Sequence, residues 1–561
     1  MKKKTLILIF IILYCSAAFA QTYTLYGDKT FGSDRHEHTA SIIDLNNGNL
    51  LLATYSFGKV SGDKTAPSCD STILPVDIWL LKIDTAFNIL WDKCYGGSRP
   101  EYQPYLLKTK NPDRFILTSA SSSDSSCQKT ANNKGYPTSN SYDFWNLTID
   151  SGGNPINDYT WGGTSEDRYP KTIELNSGNF VTCGASESPV SGDKTVANYV
   201  DSIGTMHEDY WIVKTDSLGN KLWDKVFGGI GREYYKLGTY ENMFNILPDK
   251  NDDFILAGTT DSPLSGDISD SSKGLQDIWI IKIDSAGNKI WDKRYGGSGN
   301  EQCNYIMHTA DSGYLACGST ASPQGGDVSD STKGQIDCWV IKIDSMGNKQ
   351  WDKRYGGNKI DAATWIEKAP GGGYWISGVS ASDSSGDVSE ARYAPINATD
   401  YWIFKIDEAG NKLWDRRFGG PGMNIGSTFT LMPDGSIFLF GGSFPGTSPV
   451  KTDSGGGQED IWIVHFKYID SLTTSGIYNQ NYFNTNLSVF PNPTTDVVTV
   501  TSSTENIKEV GLINLLGETM LEQKVNNART TQLNLQPYPP GFYFVKVTGA
   551  DYTVVKKVLR Q

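Results

Sequence analysis

Seven times the chain sets Asp-x-Trp at the head of an apolar run: Asp77-x-Trp79, Asp143-x-Trp145, Asp209-x-Trp211, Asp277-x-Trp279, Asp337-x-Trp339, Asp400-x-Trp402 and Asp460-x-Trp462. Successive tryptophans lie 66, 66, 68, 60, 63 and 60 residues apart. A second marker, an aromatic residue followed by Gly-Gly or a near copy, starts at Phe31, Tyr95, Trp161, Phe227, Tyr295, Tyr355 and Phe418. Recurrence at such a period means one supersecondary unit stacked against copies of itself. One copy parses as four strands: EQCNYIMHT, an Asp311-Ser312-Gly313 turn, YLACGSTAS, a long polar loop, DCWVIKID, a second turn, and KQWDKRYGG. In the sister stretch DIWIIKID, Trp279, Ile281 and Ile283 take one face and Ile278 and Ile280 the other. A strand apolar on both faces must be covered on both. Four-stranded sheets standing face to face around an axis give that cover, so the expected architecture is all-β, a seven-bladed β-propeller over residues 21–470.

The ends of the array fit a closed ring. TLYGDKTFG, residues 24–32, reads as a fourth strand with nothing before it, and DIWIVHFK, residues 460–467, lacks a fourth strand after it. The N-terminal strand is therefore expected to complete the last blade. The pattern in DIWIIKIDSAGNKIWDKRYGG resembles the bacterial propeller repeats called SBBP, a likeness that implies the fold and says nothing of function, since propellers serve many functions.

Residues 1–20 read as a signal peptide: Lys2, Lys3 and Lys4, the apolar run TLILIFIILY, and Ala18-Phe19-Ala20 before Gln21. The apolar run is short for a membrane span, and no later segment is apolar enough for a transmembrane helix. The whole chain carries a formal charge of −13, and loss of the leader takes three lysines and no acid, leaving −16. That charge excludes a nucleic-acid partner. None of the seven later cysteines forms a C-x-x-C pair, which sets aside zinc-ribbon and thioredoxin chemistry. Cys303 with Cys317, and Cys69 with Cys127, are the pairs whose positions would allow a bridge; buried small hydrophobes are the plainer reading.

After residue 470 the repeat stops. Residues 471–485 read as a polar linker, and 486–561 as a small β-sandwich of alternating strands. Pro491-Asn492-Pro493, Gly517, Pro540-Gly541-Phe542-Tyr543 and Lys556-Lys557 resemble the type A C-terminal sorting domain of the type IX secretion system of Bacteroidetes. The resemblance implies the secretion machinery as a partner, passage across both membranes to the cell surface or outer membrane or into the medium, and removal of the tail.

Six residues beyond each aromatic-Gly marker stand Glu37, Glu101, Asp167, Glu233, Glu301, Asp361 and, in the seventh unit, Asn424. If the first strand of each blade is innermost, these ring one mouth of the channel, as a binding site for a cation or a sugar or as hydrogen-bonded stitching between blades. The long loops add Asp63, Asp193, Asp267, Asp327 and Asp387 on the same face. No loop has the spacing of a calcium-binding hand, so no cofactor is required, though Ca²⁺ is compatible with the acids present. His36-x-His38 places two imidazoles on one side of a strand, a pattern usual on surface strands and open to a metal. Trp365 and Trp375 fall outside the repeat and suit core filling or a sugar ring. No nucleophile elbow, zinc-peptidase or phosphate-loop motif occurs. The expected function is a non-enzymatic, exported binding module for glycan or protein. The alternatives are a polysaccharide-acting enzyme, hydrolase or lyase-like, and a structural envelope protein.

Overall fold

The computed structural model describes residues 22–70, 76–135, 141–233, 244–469, 487–502, 506–514, 519–549 and 553–561. The leader, the linker and Gly517 lie outside them. The chain forms two compact units, one of them Leu25–Phe466 and the other containing the residues from Lys467 onward.

The first unit is seven four-stranded sheets. In the fifth blade the strands a to d are Glu301–His308, Tyr314–Thr320, Asp337–Ile343 and Lys349–Tyr355, paired antiparallel in sequence order. Strand a of each blade touches strand a of both neighbours, and contact between Glu37–Asp44 and Asn424–Leu431 closes the ring. The propeller is therefore complete, with the a strands innermost. The seventh blade takes Thr22–Phe31 as its d strand, laid beside Asp460–Ile469.

Every Asp-x-Trp tryptophan is fully buried. Its indole N–H donates to an aspartate on strand d, as from Trp279 to Asp292 at 3.1 Å and Trp339 to Asp352 at 3.0 Å. In the last blade the acceptor is Asp28, 2.9 Å from Trp462 across 434 residues of chain. A buried indole N–H left unpaired costs about 1–3 kcal/mol, so this bond fixes strand d to strand c in all seven blades and fastens the ring once. Neighbouring blades share apolar clusters, for instance Ile255, Ile278 and Ile280 of the fourth with Tyr314, Trp339 and Ile341 of the fifth. Both faces of each central strand are covered in this way. The c-to-d turn is held by its own aspartate: Asp284 accepts from the backbone of Ala286 and Asn288 at 2.9 and 2.7 Å, and Gly287 supplies the positive φ of 82°.

Cys303 and Cys317 belong to different apolar clusters, on opposite faces of the fifth blade, and so cannot bridge. Trp375 is core, edge-on to Trp414 at 5.5 Å. Trp365 lies against Tyr305, the rings tilted with centroids 4.0 Å apart, between the a strands of the fifth and sixth blades.

The C-terminal unit packs a three-stranded sheet against a four-stranded one around Val498, Val500, Val510, Leu533, Val545 and Val547. Among its described residues, and throughout the others, no helix is long and apolar enough to cross a membrane.

Candidate functional site

The ring of acids at the start of strand a is present, and it is not presented to solvent. Glu37, Glu101, Asp167, Glu233, Glu301, Asp361 and Asn424 are all wholly buried. Hydroxyls of its own blade hold each one, and Asn424 also donates to Thr399 and Asp400 of the sixth blade. Glu301 accepts from the Gly297 backbone at 2.8 Å, Thr320 Oγ1 at 2.7 Å and Ser322 Oγ at 2.5 Å. Glu101 does the same with Gly97, Ser121 and Ser123. Burial drives these carboxyls upward, Glu37 to about 7 and Glu101 to about 8. The Asp of Asp-x-Trp lies against them with the first glycine of the Gly-Gly pair wedged between: a Cβ on Gly96 would sit 2.3 Å from Glu101 and 2.4 Å from Asp77. The aromatic-Gly-Gly marker is thus a steric necessity of paired buried acids. The loop aspartates are also engaged. Asp327 donates its N–H to the Gly296 carbonyl at 2.8 Å, its carboxylate accepts from Gly296 N at 3.1 Å, and it pairs with Lys273.

A buried cation accompanies these acids in every blade, and it comes from one of two places. In the first, second, third and seventh blades it is a loop lysine, Lys64, Lys129, Lys194 or Lys451; in the fourth, fifth and sixth it is Arg294, Arg354 or Arg417 on strand d. Where the loop supplies lysine, strand d carries Cys94, Thr160, Val226 or Thr30; where strand d supplies arginine, the loop carries Ile268, Val328 or Val388. The two head groups reach one register: Lys194 donates to the Ser188 carbonyl at 2.8 Å, Arg294 to that of Ser262 at 2.6 Å and Arg417 to that of Ser382 at 2.7 Å. The exchange is legible in the repeats once they are aligned.

Symmetry breaks at the residues flanking the buried acids. There the seventh, first and second blades carry rings in one continuous run that ends on an arginine of the third. Phe444 meets His36 edge-on at 6.3 Å, His36 stacks on His38 at 5.9 Å, and His38 meets Tyr55 at 5.0 Å. Tyr55 and Phe57 meet Tyr102 at 5.3 and 6.3 Å, Tyr102 meets Tyr142 at 5.6 Å, and the Arg168 guanidinium lies 5.7 Å over Tyr142. Phe444, His36, His38, Phe57, Tyr102 and Tyr142 are half-buried, so the run is a ledge with one accessible side. Beyond it stand the ion pair of Arg168 with Glu166 at 2.7 Å and Glu208, whose carboxyl is pushed up to about 7 by burial and by the neighbouring Glu187. The corresponding positions of the sixth blade and its approach are Ile336, Ile360, Ala362 and Ala381. The polar, aromatic side of the mouth is therefore confined to part of the ring.

In the C-terminal unit the sorting-motif residues bind the last strand. Asn492 Oδ1 accepts from Leu559 N at 2.9 Å, between Pro491 and Pro493, and Thr494 exchanges backbone bonds with Leu559 and Gln561. Tyr543 Oη donates to the Pro539 carbonyl at 2.7 Å, over the Pro540-Gly541 turn. Lys556 is half-buried on that strand; the side chain of Lys557 lies outside the described set.

Residues 488–561 match the family of secretion system C-terminal sorting domains. Among curated proteins, the regulatory protein FlaEY of Caulobacter vibrioides is 27% identical over 157 residues, 26% of this chain. The match spans only 16% of that relative's length. Similar solved structures include a protein from Dyadobacter fermentans at 13% identity, covering 80% of this chain and 99% of that one with a TM-score of 0.38. They also include a polysaccharide lyase, an ulvan lyase, at 8% identity over 77% of this chain and 95% of that one with a TM-score of 0.41. The C-terminal unit is a secretion system sorting domain, and the chain is a secreted protein whose passenger is a seven-bladed β-propeller.

Proposed function

We propose that this is a non-enzymatic binding module, delivered by type IX secretion to the cell surface or medium, whose propeller holds a glycan on the ledge running from Phe444 to Tyr142. The observation that carries the reading is the unbroken series of rings across three blades, capped by a guanidinium from a fourth. Aromatic faces stack on the apolar faces of sugar rings, and the charged groups at the end of the ledge, Arg168, Glu187 and Glu208, supply donors and acceptors for hydroxyls. The tail is the address that the secretion machinery reads and removes, leaving the propeller released or anchored.

The test is binding of the purified chain to a panel of polysaccharides, with released sugar assayed in the same wells. Saturable binding without release, weakened at least tenfold by Tyr102→Ala or Tyr142→Ala, is expected. Release of sugar would make the protein an enzyme, and binding untouched by both substitutions would remove the ledge from the account.

A further inference from the structure

We infer that His36, His38 and Glu459 form a site for one divalent transition-metal ion of the zinc class, set across the seam where the ring closes. The two imidazoles stand two residues apart on one face of the first blade, nearly parallel at 7°. Both Nδ1 atoms point at the same carboxylate oxygen, Glu459 Oε2, at 3.8 and 3.4 Å. All three ligand atoms lie within 4.8 Å of one another. Tetrahedral zinc with bonds of about 2.0–2.1 Å needs ligand atoms about 3.3 Å apart, so small side-chain rotations bring these three onto one ion.

Two further observations separate this cluster from an ordinary strand surface. The Nδ1 of His36 is buried and has no hydrogen-bond partner among the described residues. Glu459 is almost fully buried, and among the described residues the two imidazoles are the basic groups within 4 Å of its carboxylate. The six ring carboxylates, by contrast, each accept from at least one serine hydroxyl. Its backbone is fixed as well, since the Glu459 carbonyl accepts from Glu37 N at 2.8 Å. Of the six positions equivalent to Glu459, one carries Glu208 and the others Val76, Tyr142, Gln276, Ile336 and Thr399, so the glutamate is no requirement of the repeat.

The donor set selects the metal. Two nitrogens and one carboxylate suit zinc and its first-row neighbours, whereas Ca²⁺ takes six to eight oxygens. Three protein ligands leave a fourth position open, on the side where both imidazoles are about one-third exposed. Glu459 leads into the strand that pairs with the N-terminal strand, and His36 and His38 open the first blade. An ion held by all three would tie the last blade to the first. The inference stands whether or not the ledge binds a glycan.

The test uses the metal-stripped full chain with Zn²⁺ and Co²⁺ as probes, read by calorimetry, thermal unfolding and the visible ligand-field spectrum of Co²⁺. Expected are one ion per chain, a melting temperature raised by Zn²⁺ and lowered again by chelator, and the intense Co²⁺ bands of a four-coordinate site. His38→Ala and Glu459→Gln should weaken binding at least tenfold and abolish those bands, while His308→Ala, remote from the seam, should not. Should Glu459→Gln fail to fold, His36→Gln and His38→Gln, on partly exposed side chains, decide the matter. Absence of saturable binding, or binding that survives loss of either imidazole, would overturn the inference.

Discussion

The exchange of buried cations between loop and strand predicts a rescue. In the fifth blade Arg354 is buried, 3.5 Å from Asp337, and donates to the Ser322 carbonyl. Arg354→Val removes that cation from Asp337 and Glu301, both buried, a loss that for a broken internal ion pair costs about 3–5 kcal/mol. Val328→Lys alone inserts a second cation at a side chain that is 1% exposed, and should cost about 1–3 kcal/mol through crowding and an unpaired charge. The double variant recreates the third blade, where Lys194 faces Val226 and donates to Ser186 Oγ at 2.7 Å. It should recover more than half of what Arg354→Val loses. Urea midpoints of the four proteins close the cycle. A double variant no more stable than Arg354→Val would show that the two cation positions are not equivalent and would refute the reasoning.

Asp28 accepts from Trp462 at 2.9 Å and from Thr452 N and Oγ1 at 2.9 and 2.6 Å, so Asp28→Ala should cost about 2–3 kcal/mol in urea unfolding. A cost below about 0.5 kcal/mol would show that the latch is not fastened there. The pH dependence should run opposite to ordinary acid denaturation over part of its range. Glu37, Glu101 and Asp143 are raised by burial to about 7, 8 and 8, so the folded chain holds protons the unfolded chain has lost. Their contribution is full below the unfolded carboxyl range and is lost as pH rises through 7 to 8. The lowered group includes Asp224 and Asp352, whose contribution is lost in acid. The urea midpoint should therefore fall between about pH 5 and pH 8, less steeply in Asp143→Asn; a midpoint that rises across this interval contradicts the assignment. Finally, the thiols of Cys69 and Cys127 face each other from loops of successive blades, and the other five cysteines are buried. The exported chain should carry one disulfide, with five titratable thiols when denatured without reductant; seven would exclude it.

What the sequence discloses and what it hides divide along the same line as the repeat itself. Positions that every blade must satisfy recur and are readable: the Trp that needs cover, the glycine that must lie between two acids, the aspartate that holds its own turn. Glu301 and its six counterparts belong to this class, and their recurrence goes with buried support, Glu301 accepting from Ser322 and Thr320 hydroxyls at 2.5 and 2.7 Å. A ligand seen by one face of a ring has no reason to recur. The informative residues are therefore those beside the recurring ones, where each blade is free to differ. His36 and His38 bracket Glu37, Tyr102 follows Glu101, Arg168 follows Asp167, and Tyr142 and Glu459 each precede the aspartate of an Asp-x-Trp. Strand alternation turns each flanking side chain away from the buried acid. Which flanks come together depends on ring closure, which puts residue 459 beside residue 36, and no linear reading supplies that neighbour. The scaffold is legible because it repeats, and the site is found by subtracting the repeat from the closed ring.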